Sequence, residues 1–166
     1  VLAFAQNQTV TGVFSTSELS SGQETILTVS YEATDQVLLT GLGIRVHFDS
    51  ASLEAGELSL SLFDGTQGSQ ISDDTSDLDG DATTDKFYLV NWADTNNPQI
   101  GWPAYRDPSN NEIVAREQPT ELFTLPFTAA SGYNGATINF SASSVAAGYV
   151  VVGESISLTK IPGTVS

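Results

Sequence analysis

One stretch decides the fold class: Gly41-Leu-Gly-Ile-Arg-Val-His-Phe48. Its apolar residues Ile44, Val46 and Phe48 are separated by single polar residues. Successive side chains of a β-strand point to opposite faces, so this period of two predicts a strand with one buried face. We expect the three apolar side chains to face a core and His47 to lie at the protein surface.

The same alternation recurs on the C-terminal side of this stretch, at Leu58–Leu62 and at Phe123–Phe127. No window longer than ten residues carries a helical apolar stripe. Short alternating segments separated by Gly and Ser turns are typical of an antiparallel β-sandwich or jelly roll. Pro126 inside a strand pattern predicts an edge strand or a bulge. We therefore predict an all-β fold of about nine strands, at residues 9–15, 25–31, 41–48, 57–63, 86–93, 121–128, 137–142, 148–152 and 155–161.

Length and charge narrow the class of protein. A chain of 166 residues is about one domain long, so we expect residues 1–166 to form a single module. Acidic residues number 20 and basic residues 5, for a net charge of −15. This charge excludes a nucleic-acid partner and disfavours anionic membrane surfaces, because both need clustered Lys and Arg. No apolar run reaches the ~18 residues that membrane insertion requires.

An acidic segment, residues 64–85, interrupts the strand pattern. Six of the thirteen residues in Asp73-Asp-Thr-Ser-Asp-Leu-Asp-Gly-Asp-Ala-Thr-Thr-Asp85 are aspartate. Like charges this close repel each other, so they need either a counter-cation or raised pKa values. Flexible carboxylates are the ligands that Ca²⁺ prefers, and we predict a calcium loop. The predicted ligands are Asp73, Asp74, Asp77, Asp79, Asp81 and Asp85.

This loop departs from the EF-hand pattern. Asp77, Asp79 and Asp81 match its first three ligand positions, but Gly80 comes two residues early and Tyr88 stands where the bidentate Glu should be. It would therefore be a calcium loop of another type. The alternative is a solvated acidic loop that binds no ion.

A second irregular segment, residues 94–119, carries four of the six prolines and contains Trp102 and Tyr105. Aromatic rings on an ordered loop can stack on a sugar or anchor a protein interface. The alternative is that Trp102 packs against the end of the sandwich, as we expect the strand residue Trp92 to do in the core. The predicted ligand-binding residues are Trp102, Tyr105, Asp94, Asn96, Asn97, Arg106 and Asp107.

No catalytic motif is recognisable, and we assign no catalytic residue. His47 is the only histidine, and no nucleophile motif accompanies it. Two of the twenty acids could serve as a glycosidase pair, but the acids cluster where calcium explains them better. The sequence predicts that the protein is not an enzyme.

Several segments resemble cohesin domains. The segment Leu39–Leu53 resembles the cohesin strand that leads into an "FD-x-x-x-L" turn, and Leu122–Thr128 resembles a later cohesin strand. Ile138–Phe140 and Glu154–Thr159 fit the strands that follow it. The resemblance implies a calcium-tolerant jelly-roll sandwich, shared with cellulose-binding modules, that acts in recognition without catalysis. Residues 74–94 resemble a cohesin-like repeat of large bacterial surface and adhesin proteins.

These observations lead to one principal hypothesis. The chain would be a secreted, calcium-stabilised, non-catalytic recognition module of a bacterial cell-surface protein, with other modules in the same larger chain. It would bind a polysaccharide or a protein and serve cell adhesion. The alternative is a structural spacer that calcium rigidifies within an adhesin stalk, and a glycoside hydrolase ranks third.

Overall fold

The computed structural model describes residues 8–33, 37–38, 41–61, 66–93, 101–102, 104–106, 109–110, 113–115, 119–143, 151–153 and 156–161. Their strands are β1 Gln8–Phe14, β2 Glu18–Leu19, β3 Glu24–Ala33, β4 Val37–Leu38, β5 Gly41–Phe48, β6 Leu53–Ala55, β7 Ser59–Leu60, β8 Thr66–Asp73, β9 Lys86–Ala93, β10 Gly101–Trp102, β11 Ala104–Arg106, β12 Ile113–Ala115, β13 Thr120–Ala129, β14 Ala136–Ala142, β15 Val151–Gly153 and β16 Ile156–Lys160.

Twelve of these strands form two large sheets, while β4 pairs with β10 and β11 pairs with β12. The first sheet has the order β15-β1-β3-β13-β6, with β7 also pairing with β13, and the second has the order β2-β16-β14-β5-β9-β8. Pairing is antiparallel except that β15 runs parallel to β1 and β2 runs parallel to β16. The described residues form no helix, and hence none long and apolar enough to cross a membrane. The all-β sandwich that the sequence predicts is therefore confirmed.

The core lies between the two sheets. Leu27 and Phe127 of the first sheet and Ile44 and Phe48 of the second belong to one buried apolar cluster. The rings of Phe48 and Phe127 meet edge-on across the sandwich, with centroids 5.3 Å apart. Burying each such side chain stabilises the fold by about 1.5–3 kcal/mol. The alternation in Gly41–Phe48 thus correctly predicts the inward face of β5.

The acidic loop is shorter than the sequence predicts. Residues 66–73, assigned to that loop from the sequence, instead form β8, which pairs with β9 along its whole length. The strand lies at the edge of its sheet, and even Ile71 on its inner face is 46% exposed. An edge strand with little to bury shows no apolar alternation, which is why the pattern missed it. The loop therefore spans residues 74–85.

Pro126 does not lie on an edge strand, because β13 runs between β3 and the pair β6 and β7. The ladder on the β6 and β7 side is interrupted next to this residue, where Gly56 N donates to Pro126 O at 2.8 Å. The amide and carbonyl of one strand residue face the same neighbour, so the missing N–H of proline falls at this interruption. The bulge in β13 lies elsewhere, between Glu121 and Phe123.

Candidate functional site

The outer face of the second sheet presents two neighbouring rows of side chains. The first, which we call the His47 row, contains Asn139, His47, Phe87 and Ser72 on β14, β5, β9 and β8. The second, the Arg45 row, contains Ser141, Arg45, Leu89 and Gln70 on the same four strands. The loop of residues 74–85, which connects β8 to β9, folds back over the His47 row.

A backbone hydrogen bond joins the two ends of the loop. Asp74 N donates to Asp85 O at 2.8 Å, and Asp85 N donates to Phe48 O at 3.2 Å. Asp77 adopts a positive φ of 51°, and Gly80 has a φ of 72°. Aspartate and glycine are among the residues that tolerate this left-handed conformation best, which explains their use at the two turns.

His47 is buried, so the predicted surface position is wrong. Its side chain is 0% exposed, because Asp74 and Asp79 of the loop lie over it. The alternation in β5 correctly places His47 on the outer face of the sheet. What the local pattern could not predict is that a loop starting 27 residues further along the chain, at Asp74, covers that face.

Two carboxylates converge on the His47 ring. Its Nδ1 atom lies 3.0 Å from Asp74 Oδ2 and 3.7 Å from Asp79 Oδ2. Neither contact meets the geometry of a hydrogen bond, and Nδ1 is a buried nitrogen without a hydrogen-bond partner. The opposite ring nitrogen, Nε2, lies 2.7 Å from Ser141 Oγ. Burial lowers the pKa of His47, against the attraction of Asp79 and Asp74, which favours the neutral ring.

Asn139 joins two further carboxylates of the loop to the sheet. Its Nδ2 donates to Asp79 Oδ2 at 2.9 Å and to Asp81 Oδ2 at 3.0 Å. Thr84 Oγ1 also donates to Asp79 Oδ2, at 2.6 Å. The sequence analysis did not identify Asn139 as part of this site. Asn139 reaches the loop because β14 pairs with β5 in the register that places it beside His47. An alternating pattern does not specify that register.

Two carboxylates of the loop, those of Asp79 and Asp81, are stabilised as anions by donors of the protein itself. Burial alone would raise the pKa of Asp79, but hydrogen bonds from Thr84 and Asn139 hold it below its ordinary value. Hydrogen bonds from the side chain and backbone of Thr83 lower the pKa of Asp81. The sequence argument allowed only a counter-cation or raised pKa values for such a cluster. Hydrogen bonds from N–H and O–H groups of the loop and of Asn139 are a further source of stabilisation that it did not count.

The six predicted metal ligands do not all meet. Asp74 and Asp79 converge with His47, and these three are the one group within the described part of the chain whose ligand atoms lie within 4.8 Å of one another. Asp81 adjoins them through Asn139. Asp73 pairs with Lys86 at 2.7 Å, and the exposed Asp85 accepts from Ser50. Asp77 is also exposed.

The donor set of this cluster can be compared with the requirements of calcium. Ca²⁺ takes six to eight oxygen ligands, whereas the cluster offers one imidazole nitrogen and two carboxylates. Imidazole nitrogen is instead a ligand of first-row transition metals. The cluster therefore fits calcium less well than it fits those metals. Calcium binding by the six aspartates stays a prediction.

We predict that Asp85 contributes to the pH dependence of the free energy of unfolding. Burial raises its pKa, but hydrogen bonds from Ser50 Oγ at 2.5 Å and Ser50 N at 2.7 Å outweigh this, so its pKa lies below the ordinary value of 3.8. A depressed pKa contributes stability that is complete above the unfolded value and is lost as the pH falls through the folded value. Asp85→Asn should therefore lower the free energy of unfolding at neutral pH and flatten its decline below about pH 5.

Urea unfolding of both proteins between pH 7 and pH 3 measures this effect. Asp77→Asn is the matched control, because Asp77 is exposed and asparagine also tolerates its left-handed backbone. An Asp85→Asn protein with the same acid dependence as the unaltered chain would contradict the prediction.

The side chains of the predicted aromatic site lie outside what the structure describes. The backbone places Trp102 in β10, opposite Val37 of β4, and Tyr105 in β11, opposite Val114 of β12. The described part of segment 94–119 thus contains three short strands. Arg106 lies in β11, while Asp94, Asn96, Asn97 and Asp107 are outside the described residues. A recognition site at these residues stays a prediction.

The Arg45 row is left uncovered by the loop. Arg45 Nη1 donates to Ala142 O at 2.7 Å, and its guanidinium carbon lies 5.6 Å from the centre of the Phe87 ring. These contacts hold a cation in place on a strongly acidic protein. Beside it lie Leu89, which is half-buried, and Gln70, which is exposed. The row therefore combines an ordered charge, an apolar side chain and an amide on one face of the sheet.

Comparison with known proteins now adds to this geometry. No protein-family model and no curated protein matches the chain. Among solved structures, it is similar to the third cohesin of ScaC in complex with the ScaB dockerin from Acetivibrio cellulolyticus, with 10% identity and a TM-score of 0.59, over 93% of this chain and 99% of that one.

Two further cohesins from other organisms are similar over most of their length. For a type I cohesin–dockerin complex from Clostridium thermocellum, the identity is 11% and the TM-score 0.56, over 97% of both chains. For a non-cellulosomal cohesin from the archaeon Archaeoglobus fulgidus, the identity is 12% and the TM-score 0.52, over 93% of this chain and 91% of that one. At these identities the similarity concerns the fold alone. The chain has the cohesin-like β-sandwich fold that the sequence resemblance implies.

Proposed function

We propose that this chain is a non-catalytic protein-recognition module whose partner is a protein module of the dockerin type. The observation that carries the proposal is the fold, which matches cohesins along nearly the whole chain, two of them in complexes with dockerins. The extracellular location expected from the sequence is part of the same proposal. The structural spacer is the alternative that binds no partner.

The Arg45 row is the surface that best suits a protein partner. Arginine is enriched among the residues that dominate binding energy at protein interfaces. Arg45 is already held by Ala142 and Phe87, so little side-chain entropy is lost when a partner contacts it. The outer face of the first sheet, around Val13 and Ile26, presents no basic side chain among its described residues.

Titration of the purified chain against isolated dockerin modules by calorimetry tests the proposal. We expect a 1:1 complex, and we expect Arg45→Ala and Leu89→Glu each to weaken it at least about tenfold. Ile26→Glu is the matched control, since Ile26 is 41% exposed on the opposite sheet and its replacement should leave the affinity unchanged.

Two results would count against this function. If no dockerin bound at concentrations up to about 100 µM, well above the dissociation constants of specific complexes, the partner class would be wrong. If Ile26→Glu abolished binding while the Arg45 row variants did not, the recognition surface would be wrong. Polysaccharide binding through Trp102 and Tyr105 is a separate prediction, which a glycan array tests with and without EDTA.

A further inference from the structure

We propose that His47, Asp74 and Asp79 form a binding site for a divalent first-row transition metal ion, with Zn²⁺ as the representative ion. The site lies between the loop 74–85 and the outer face of the second sheet, one row away from the proposed recognition surface. It does not rest on the proposed function. It assigns a nitrogen-containing ligand set where the sequence predicted an all-oxygen calcium loop.

The spacing of the three ligand atoms suits one small ion. Zinc binds histidine nitrogen and carboxylate oxygen at about 2.0–2.2 Å, so two ligands of one tetrahedral ion lie about 3.3–3.6 Å apart. Nδ1 of His47 is 3.0 Å from Asp74 Oδ2 and 3.7 Å from Asp79 Oδ2, which brackets this value. The three residues would leave the fourth position to water.

The unpartnered nitrogen is an observation independent of the acidic cluster. His47 Nδ1 is buried, lies 3.0 and 3.7 Å from two carboxylate oxygens and forms a hydrogen bond with neither. A buried polar atom without a partner normally costs about 1–3 kcal/mol, so such atoms are rare in native structures. A metal ion between the nitrogen and the two oxygens would give Nδ1 the partner that it lacks.

The surrounding contacts are those of a metal-bound histidine. Metal ligands of this kind almost always donate their second ring N–H to an acceptor, which fixes the tautomer. Here Ser141 Oγ lies 2.7 Å from His47 Nε2 and can accept that hydrogen bond, leaving the lone pair on Nδ1 free for a metal. Asp79 Oδ2 is oriented in turn by Thr84 Oγ1 at 2.6 Å and Asn139 Nδ2 at 2.9 Å.

The charge of the three proposed ligands also favours a divalent cation. The side chains of Asp74 and Asp79 are 0% and 1% exposed, and within the described residues His47 is the one basic group within ion-pair distance of either. Metal ligation requires Nδ1 to be deprotonated, and the neutral imidazole with two buried carboxylates would then carry a charge of −2. A divalent cation neutralises this charge, which is the usual requirement for carboxylates removed from water.

The test uses the full chain, stripped with EDTA and then desalted. Because His47 is the only histidine, a long-range ¹H–¹⁵N correlation spectrum reports on both nitrogens of this ring without ambiguity. We expect one equivalent of Zn²⁺ to shift the Nδ1 resonance while Nε2 keeps its proton. Calorimetry should give a stoichiometry of one, and Co²⁺ should produce a visible ligand-field absorption.

Variants separate a specific site from general attraction to acidic residues. We expect Asp79→Asn and His47→Asn to weaken Zn²⁺ binding at least about 100-fold. Mutating a residue that only hydrogen-bonds to a metal ligand already lowers metal affinity about 10- to 100-fold. Ser141→Ala, which removes one such partner, should weaken it about 10- to 100-fold. Asp73→Asn and Asp77→Asn should not change it, although both residues belong to the predicted calcium set. Circular dichroism verifies that each variant is folded.

Three outcomes would overturn the proposal. The first is a His47 spectrum of the unaltered chain that does not change when Zn²⁺ is added. The second is equal loss of Zn²⁺ affinity in the Asp73→Asn and Asp79→Asn proteins, which would indicate diffuse attraction. The third is one equivalent of Ca²⁺ that binds more tightly than Zn²⁺ without affecting the His47 nitrogens, which would indicate an oxygen site instead.

Discussion

Replacing Phe127 with alanine is expected to lower the free energy of unfolding by about 3–5 kcal/mol. Phe127 is fully buried in β13, and its ring packs against Phe48 of the opposite sheet and Phe14 of its own, at centroid distances of 5.3 and 6.3 Å. Truncation would remove the apolar contact that joins the two sheets and would leave a cavity in a close-packed core. Urea unfolding followed by tryptophan fluorescence measures the loss.

The matched control for this prediction is Ile26→Ala, on the solvent side of the first sheet. Ile26 is 41% exposed, so its truncation should cost well under the Phe127 value, on the order of 0.5–1 kcal/mol. A Phe127→Ala protein that lost less than about 1 kcal/mol would mean that the two sheets do not pack through this residue.

Gly12→Val is expected to destabilise the chain by about 1–3 kcal/mol through overpacking. A Cβ atom on Gly12 would lie 2.7 Å from Ile156 Cδ1 and from Phe140 Cζ, and 3.0 Å from Leu27 Cδ1. These three side chains approach from different strands of both sheets, so no single rotamer change relieves all three contacts. Glycine at this position permits the close approach of β1 to the second sheet.

Thr11→Val is the control for the glycine substitution, because it introduces the same side chain one residue earlier, on the exposed face of β1. We expect it to change the free energy of unfolding by no more than about 0.5 kcal/mol. Equal stabilities of the Gly12→Val and Thr11→Val proteins in chemical denaturation would contradict the tight packing at Gly12.

The strands with one buried face were predictable from local sequence alone. The limits predicted for residues 41–48 and 86–93 match β5 and β9. In residues 41–48 the apolar alternation runs to the end of the strand. In the predicted segment 57–63 the alternation is equally clear, yet the described strand there is only Ser59–Leu60. Alternation specifies which face is apolar, whereas the length of a strand depends on the neighbours available to pair with it.

The acidic cluster was predictable as a cluster but not as a site. Its carboxylates were recognised from their spacing, and Asp74 and Asp79 do converge. Both carboxylates lie against His47, and Asp79 accepts a hydrogen bond from Asn139. These two residues belong to strands that are distant from the loop in sequence. They meet the loop only because β5 and β14 pair in one particular register. Register arises from tertiary packing, so local sequence reasoning treated the histidine as a surface residue.

The loop and the Arg45 row are neighbours, which gives the proposed metal site and the proposed recognition surface a shared framework. Ser141 contacts both, since its Oγ lies 2.7 Å from His47 Nε2 and 3.4 Å from Arg45 Nη1. Either proposal can nevertheless be disproved without affecting the other. Zinc binding is read from the His47 nitrogens with no partner present, and partner binding is read from Arg45 and Leu89.

The most direct test of protein recognition is an NMR titration of the ¹⁵N-labelled chain with an unlabelled dockerin module. We expect the largest amide shift changes in β5, β9 and β8, centred on Arg45, Leu89 and Gln70. The amide shifts of Val13 and Ile26 on the opposite sheet should stay unchanged. Shift changes centred on the face of Val13 and Ile26, or no change at saturating dockerin, would contradict this expectation.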